Sequence, residues 1–84
     1  MKIRPFSRDD LNAVLEIQNA CKPNAAWRAR EYEQLTCDPR GMILVAELAD
    51  QPPAELLGFS VFYRMDDEAE LWNLAVAPRF QRQG

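Results

Sequence analysis

Six prolines divide this chain of 84 residues into short intervals, and they limit its fold more than any other sequence feature. A proline has no amide hydrogen and disfavours helical backbone in the residue before it. A helix or a central strand therefore does not continue through one. Each interval can hold one helix, one strand or one hairpin, so we expect one small domain or part of one. The breaks lie at Pro5, Pro23, Pro39, Pro52, Pro53 and Pro78.

The beginning of the chain predicts a strand followed by a helix. Residues 2–6 alternate between apolar and polar side chains, which is typical of a short strand. Ser7 suits the N-cap of a helix over residues 8–21, since its hydroxyl can accept a hydrogen bond from the free amide of Asp10. Asp9 and Asp10 also place negative charge at the positive end of the helix dipole, which explains both carboxylates.

The remaining intervals predict a second helix and then three strands. The helix is expected to begin at Asn24, or at an alanine after it, and to end at residues 38–41. Beyond this point dense apolar residues predict strands, with Gly58 at a bulge. The order strand, helix, helix and antiparallel meander indicates an α+β fold. The predicted strands cover residues 42–49, 55–65 and 69–77, with a loop over 50–54 and an acidic turn over 66–68.

Charge and residue content exclude several functions. Ten basic and thirteen acidic residues give a net charge of −3, so we expect no nucleic-acid partner. Histidine is absent, which removes the usual general base and the usual metal ligand. Cys21 and Cys37 have no second pair beside them, so we expect buried, reduced cysteines and no metal site.

The chain also lacks the usual signals for export and membrane insertion. Its first residues do not form the apolar run of a signal peptide. No segment approaches the roughly 20 apolar residues needed to cross a bilayer. We therefore expect a cytoplasmic protein with no membrane partner.

The final segment carries the most specific chemical signal. The apolar strand predicted over residues 69–77 stops at Pro78, and a polar turn then leads to Gly84. Unpaired backbone amides in such a turn can hold a phosphate, and glycine allows the backbone to approach the anion closely. Residues 81–84 alone are weak evidence, because such a tetrapeptide often arises by chance.

The whole segment resembles the acetyl-CoA-binding signature of the GNAT acetyltransferase superfamily. In that signature a strand L-x-N-[IL]-A-V-x-P leads into Q/R-x-x-G-x-G/A. The resemblance implies that these residues are the N-terminal half of a GNAT fold, cut within the pyrophosphate loop. The amino-acid sequence of the segment is most similar to that of bacterial ribosomal-protein-alanine N-acetyltransferases. The matching positions are Leu71, Asn73, Leu74, Ala75, Val76 and Pro78 in the strand, and Gln81 and Gly84 in the loop.

The resemblance implies that acetyl-CoA is the acetyl donor. A bulge at residues 74–76 would free main-chain groups that bind the pantetheine arm as an extra strand, and the loop amides would hold the pyrophosphate. Taken without the resemblance, an ordinary buried strand would have the same residues. The implied cofactor-binding residues are Leu74, Ala75, Val76, Gln81, Arg82, Gln83 and Gly84.

In several members of the family that the chain resembles, a glutamate at the position of Glu70 is the general base, which deprotonates the acceptor ammonium directly or through water. In the ribosomal-protein enzymes the base and the acid come instead from the later half of the fold. Glu68 is a second candidate on the same face of the strand. The alternative is a solvated carboxylate at the rim of the sheet. The family's tyrosine acid lies beyond Gly84, and Tyr32 and Tyr63 do not correspond to it, so we expect the isolated 84-residue chain to be inactive.

The implied function is transfer of an acetyl group from acetyl-CoA to a primary amine, with a protein N-terminus as the expected acceptor and a small-molecule amine as the alternative. Two other hypotheses remain open. One is an incomplete fragment that self-associates through the edge of residues 71–76, since unpaired apolar edges recruit partners. The other is a small module that binds a different phosphate.

The aromatic residues have two interpretations at this stage. They could line an acceptor pocket, but large aromatic side chains are more often part of a hydrophobic core. The acidic turn over residues 66–68 could attract a basic peptide, although a solvated turn is the simpler interpretation. The aromatic residues in question are Trp27, Phe59, Phe62 and Trp72.

Overall fold

The computed structural model describes residues 2–21, 27–48 and 55–78. Its elements confirm the predicted order of strand, two helices and three strands. The predicted start of the second helix at Asn24, or at an alanine after it, is wrong, because Trp27 and Arg28 are not helical and α2 begins at Ala29 after the extended N-cap Arg28. Asn24 itself and the loop over 50–54 lie outside the described residues. The elements are β1 (Lys2–Pro5), a 3-10 turn (Arg8–Asp10), α1 (Leu11–Cys21), α2 (Ala29–Thr36), β2 (Gly41–Leu48), β3 (Glu55–Met65) and β4 (Glu68–Val76).

The strands form one antiparallel sheet in the order β1-β2-β3-β4. The β3–β4 hairpin closes through a two-residue turn in which Asp66 has a φ of 54°, a conformation that aspartate tolerates better than most residues. A register shift between β2 and β3 leaves Leu57 as the extra residue. The predicted bulge at Gly58 is therefore displaced by one residue. Among the described strands, β4 lies at an edge of the sheet.

Both helices pack on the sheet and form the hydrophobic core with it. Val14 of α1 and Tyr32 of α2 are fully buried against Val45 and Val61 of the central strands. The opposite face of the sheet is apolar, and its depression of about 510 Å³ is lined by residues of β1 to β4. On that face Leu74 is 61% exposed. The described residues therefore cover one face of the sheet with helices and leave the other open.

Asp10 does more than place charge at a helix start, because it is buried and ion-paired. Its carboxylate accepts two hydrogen bonds of 2.8 Å from the Arg4 guanidinium. The same guanidinium lies 3.1 Å from Glu47 of β2. The amide of Ser7 also donates to Asp10, whereas the amide of Asp10 donates to the Ser7 carbonyl oxygen. This network joins β1, β2 and the first turn of the helical segment.

Replacing Asp10 with asparagine should lower the free energy of unfolding by about 1–2 kcal/mol near neutral pH, because charge-assisted hydrogen bonds are lost. Arg4 holds the pKa of Asp10 below its ordinary value. Such a carboxylate stabilises the fold above its unfolded pKa of about 3.9, and this stabilisation disappears as the pH falls through the lower folded pKa. Urea unfolding of Asp10→Asn and the parent protein at several pH values should show a difference that shrinks in acid.

The control for this experiment is Asp9→Asn. Asp9 is the exposed neighbour of Asp10, and its change should alter the unfolding free energy by less than about 0.5 kcal/mol. A pH-independent loss of stability in Asp10→Asn would contradict the assigned role of the Arg4–Asp10 pair.

Candidate functional site

The strand β4 contains one bulge, at Trp72. Asn73 pairs with Val61 and Leu71 pairs with Phe62, so Trp72 is an extra residue opposite β3. The resemblance to the acetyl-CoA-binding signature predicted the bulge at residues 74–76. This prediction is wrong, because these residues pair in unbroken register with residues 58–60. An extra residue shifts the alternation of side chains. As a result, Trp72 and Asn73 both contact residues of the helical layer although they are consecutive.

The main-chain hydrogen-bonding groups of successive β4 residues point alternately towards β3 and towards the open edge of the sheet. The amide of Ala77 donates to the Leu57 carbonyl oxygen at 2.7 Å, so the hydrogen-bonded positions of this ladder include Ala77 and Ala75. The main-chain groups of Leu74 and Val76 therefore point to the open edge. In agreement, the Leu74 amide donates to the Asn73 side chain at 2.9 Å, and the Val76 carbonyl accepts from Cys21 Sγ at 3.3 Å.

Gln18 links the helical layer to β4. Although polar, it is only 1% exposed. Its amide group donates to the Trp27 carbonyl at 2.7 Å and accepts from the Trp27 amide at 3.0 Å. Its oxygen also accepts a hydrogen bond from the Tyr32 phenol. The Gln18 side chain therefore holds the backbone at Trp27, just before α2, against α1.

Asn73 extends the same network to the edge strand. Its side-chain nitrogen lies 3.2 Å from the Tyr32 hydroxyl and 3.5 Å from the Gln18 oxygen, while its own oxygen holds the Leu74 amide. Burial raises the pKa of Tyr32 to about 12, so the phenol stays protonated as a donor. The position of the β4 edge is thus fixed by hydrogen bonds from both helices.

Glu70, the predicted general base, is exposed on β4. Its carboxylate accepts a hydrogen bond of 2.7 Å from the indole nitrogen of Trp72. This contact ties the carboxylate to the bulge residue. Glu68, the second candidate, is also exposed and lies at the first position of β4, opposite Met65 beside the hairpin turn. Glu70 is therefore the candidate that lies closer along the strand to Leu74.

A groove of about 300 Å³ opens between α2 and the β3–β4 hairpin, and we call it the aromatic groove. Trp72 stacks on Tyr63 with ring centroids 4.4 Å apart and planes within 8°, and Trp27 meets Trp72 edge-on at 6.2 Å. Trp72 remains 40% exposed. The lining residues are Trp27, Glu31, Gln34, Leu35, Asp38, Tyr63 and Trp72.

The core interpretation of the aromatic residues is therefore right for Phe59 and wrong for Trp72. Phe59 is buried against Tyr32. Phe62 is half-buried and lines the open face of the sheet. Trp27 packs partly against the core and also lines the groove. The bulge explains the difference, because it gives Trp72 a position outside the regular alternation of β4.

The predicted loop residues Gln81, Arg82, Gln83 and Gly84 lie outside the described residues. Within residues 2–21, 27–48 and 55–78, no three acidic, cysteine or histidine side chains are grouped to hold a metal ion. Cys21 is half-buried and Cys37 is exposed, so the expected burial of both cysteines is wrong for Cys37. Neither described helix is long and apolar enough to span a membrane.

These elements, with two helices on a four-stranded antiparallel sheet and a bulged strand at its edge, are the N-terminal half of a GNAT fold. The sequence model of the Acetyltransferase (GNAT) family matches residues 11–84. The chain belongs to this family, as its final segment predicted. The family uses acetyl-CoA as its acetyl donor. Comparison with curated protein sequences finds no significant match.

Solved structures share the fold over the whole chain. The ribosomal-protein-S18-alanine N-acetyltransferase from Escherichia coli is 24% identical, with a TM-score of 0.79 over 99% of this chain and 50% of that one. A mutant spermidine N-acetyltransferase from Vibrio cholerae is 22% identical, with a TM-score of 0.74 over 100% of this chain and 55% of that one. The chain therefore spans about half the length of these structures.

Proposed function

We propose that the protein is an acetyl-CoA-dependent N-acetyltransferase and that residues 1–84 are the N-terminal part of its single catalytic domain. The observation that carries this proposal is the edge of β4, where the main-chain groups of Leu74 and Val76 face away from β3. The Leu74 amide contacts Asn73 and the Val76 carbonyl contacts Cys21, so the pantetheine arm would replace contacts made within the fold. Pantetheine contains two amide groups, and such an arm can lie along a strand edge as another strand would. Family membership supports the choice of this ligand.

The roles of individual residues follow from this placement. Leu74 and Val76 lie along the pantetheine arm, with Ala75 between them holding β4 against β3. Gln81, Arg82, Gln83 and Gly84 bind the pyrophosphate. Glu70 takes a proton from the acceptor ammonium. The neutral amine then attacks the acetyl carbon, the carbon–sulfur bond of the thioester breaks, and the departing CoA thiolate gains a proton as the new amide nitrogen loses one. The enzyme contributes mainly by aligning these groups.

The acceptor that we propose is a primary amine at a protein N-terminus. Support comes from the E. coli neighbour, whose name specifies an alanine of a ribosomal protein. The V. cholerae neighbour is named for a small polyamine, so a small-molecule amine is the alternative acceptor. Both alternatives share the same reacting group and the same acetyl donor.

The cofactor site can be tested by titrating the full protein with CoA, pantetheine and ATP. CoA should raise the melting temperature by several degrees at about 100 times its Kd, because a ligand that binds only the folded state stabilises it. Pantetheine should shift the amide NMR signals of Leu74 and Val76, and ATP should leave those signals unchanged. CoA binding without any change at β4, or no CoA binding, would contradict the proposal.

Self-association through β4 is a second candidate function, because the edge strand carries the exposed side chains Leu71 and Leu74. Sedimentation of the same sample with and without CoA separates the two. A dimer that dissociates when CoA binds would show that the dimer interface and the CoA site share the β4 edge. A dimer that forms in place of CoA binding would support the second candidate alone.

A further inference from the structure

We propose that the aromatic groove binds an alkylammonium group of the acceptor, so that the enzyme prefers acceptors that carry a positive charge besides the amine to be acetylated. This inference rests on the proposed function, because it names the acceptor class of that site. The ligand chemistry is that of a lysine side chain near a peptide N-terminus or of a second amine in a polyamine.

The groove presents an aromatic surface that suits a cation. Tyr63 covers one face of the Trp72 indole, and Trp27 approaches edge-on, so the stack holds the indole in a fixed orientation while 40% of Trp72 stays exposed. A cation within about 6 Å of an indole ring is attracted by the negative potential of its face. A neutral apolar ligand would gain contact area here but no such attraction.

Two carboxylates add charge complementarity. Glu31 and Asp38 line the groove, and its lining contains no lysine or arginine. Across the described part of the chain, neither carboxylate forms an ion pair within 4.0 Å. Arg40 lies near Tyr63 but is not part of the lining, which holds two carboxylates and no basic side chain. The groove therefore favours a positively charged occupant.

Backbone contacts hold both carboxylates in place. Glu31 accepts a hydrogen bond of 3.0 Å from the Arg28 amide at the start of α2. Asp38 accepts one of 2.9 Å from the Arg40 amide, and the nearby Asp38 carboxylate raises the pKa of the Tyr63 phenol. A preorganised carboxylate loses less entropy when it binds a cation.

The groove is also within reach of the candidate chemistry. Trp72 donates to Glu70 at 2.7 Å and lies two residues before Leu74, a separation of about 7 Å along a strand. A chain of a few bonds can therefore join a cation in the groove to an amine at the β4 edge. The bound cation is a second charged group of the acceptor, because the Trp72 indole lies about 7 Å along the strand from Leu74, where the reacting amine is placed. This requirement selects diamines and basic peptides.

The acceptor preference can be measured with matched peptides. The full protein should acetylate a peptide that begins Ala-Lys about tenfold more efficiently, in kcat/KM, than one that begins Ala-Glu, with Ala-Gln between them. The double variant Glu31→Gln, Asp38→Asn should reduce this ratio below about threefold. Both new side chains retain an oxygen for the backbone amides, so the fold is expected to persist. Spermidine tests whether a free polyamine is used instead of a peptide.

Glu33→Gln is the matched control, because Glu33 belongs to the same helix and lies 3.6 Å from Arg8, outside the groove lining. It removes one negative charge, where the double variant removes two, and should leave the preference unchanged. Equal efficiencies for the three peptides, or equal effects of the control and the double variant, would overturn the inference.

A binding measurement separates this inference from the proposed function. Cadaverine should quench or shift the tryptophan fluorescence of the full protein, pentanol should not, and the double variant should weaken cadaverine binding. If CoA binds but cadaverine does not, the inference alone fails. If CoA does not bind, the proposed function fails, and the cadaverine titration still decides what the groove binds.

Discussion

Replacing Gly58 with alanine is expected to destabilise the protein by about 2–3 kcal/mol and to weaken CoA binding. A Cβ atom at this position would lie 2.5 Å from the Ala75 carbonyl oxygen and 3.1 Å from the Val76 Cα. Both are backbone atoms, so β4 itself would have to move. The gain from a less flexible unfolded chain, about 0.4–1 kcal/mol, is smaller than this clash. Denaturant unfolding and CoA titration measure the two effects.

The control for Gly58→Ala is Ser60→Ala. Ser60 lies two residues along the same strand, on the same face, and pairs with Leu74. Its side chain becomes smaller, so β4 is not displaced, and we expect a change within about 1 kcal/mol and unchanged CoA affinity. A Gly58→Ala variant as stable as the parent protein would contradict the close approach of β3 and β4 at this point.

Replacing Gln18 with alanine should cost about 3–4 kcal/mol of unfolding free energy, because it leaves buried polar partners unsatisfied and opens a cavity. The Trp27 backbone would lose both of its contacts with Gln18, and the Tyr32 phenol would lose its acceptor. Asn73 would also lose part of its support, so the amide NMR signals of β4 should shift. Urea unfolding and an amide spectrum measure both consequences.

Asn19→Ala provides a neighbouring control on α1. Asn19 is exposed, and its loss should change stability by less than about 0.5 kcal/mol. If Gln18→Ala were destabilised while the signals of Leu74 and Asn73 stayed in place, the connection from Gln18 to the β4 edge would be wrong, although its structural role would remain.

Local patterns were sufficient to predict most of the elements. The strand predicted at 42–49 is Gly41–Leu48, and that predicted at 55–65 has those bounds. The prediction of a helix over 8–21 is also close, although its first turn is a 3-10 turn. These elements depend on proline breaks, capping and apolar spacing, all of which are properties of neighbouring residues. The signature over residues 71–78 then indicated the family.

Features that depend on contacts between distant residues were harder to predict. The bulge at Trp72 depends on the register with β3, and the apolar residues around it do not distinguish one bulge position from another. Asp10 is buried because Arg4 on another element reaches it. Gln18 did have a local signal, since it follows the buried Val14 by four residues and so shares its face of α1.

The extra residue in β4 makes this strand tolerant of a change that strands usually cannot accept. Losing one residue from a regular strand inverts the orientation of all side chains on one side of the loss. Without Trp72, however, Leu71 and Asn73 would become adjacent, and simple alternation would return with Glu70 and Asn73 keeping their present faces. Loss of Trp72 would therefore remove the indole from the aromatic groove, while Leu74, Ala75 and Val76 would keep their present orientations.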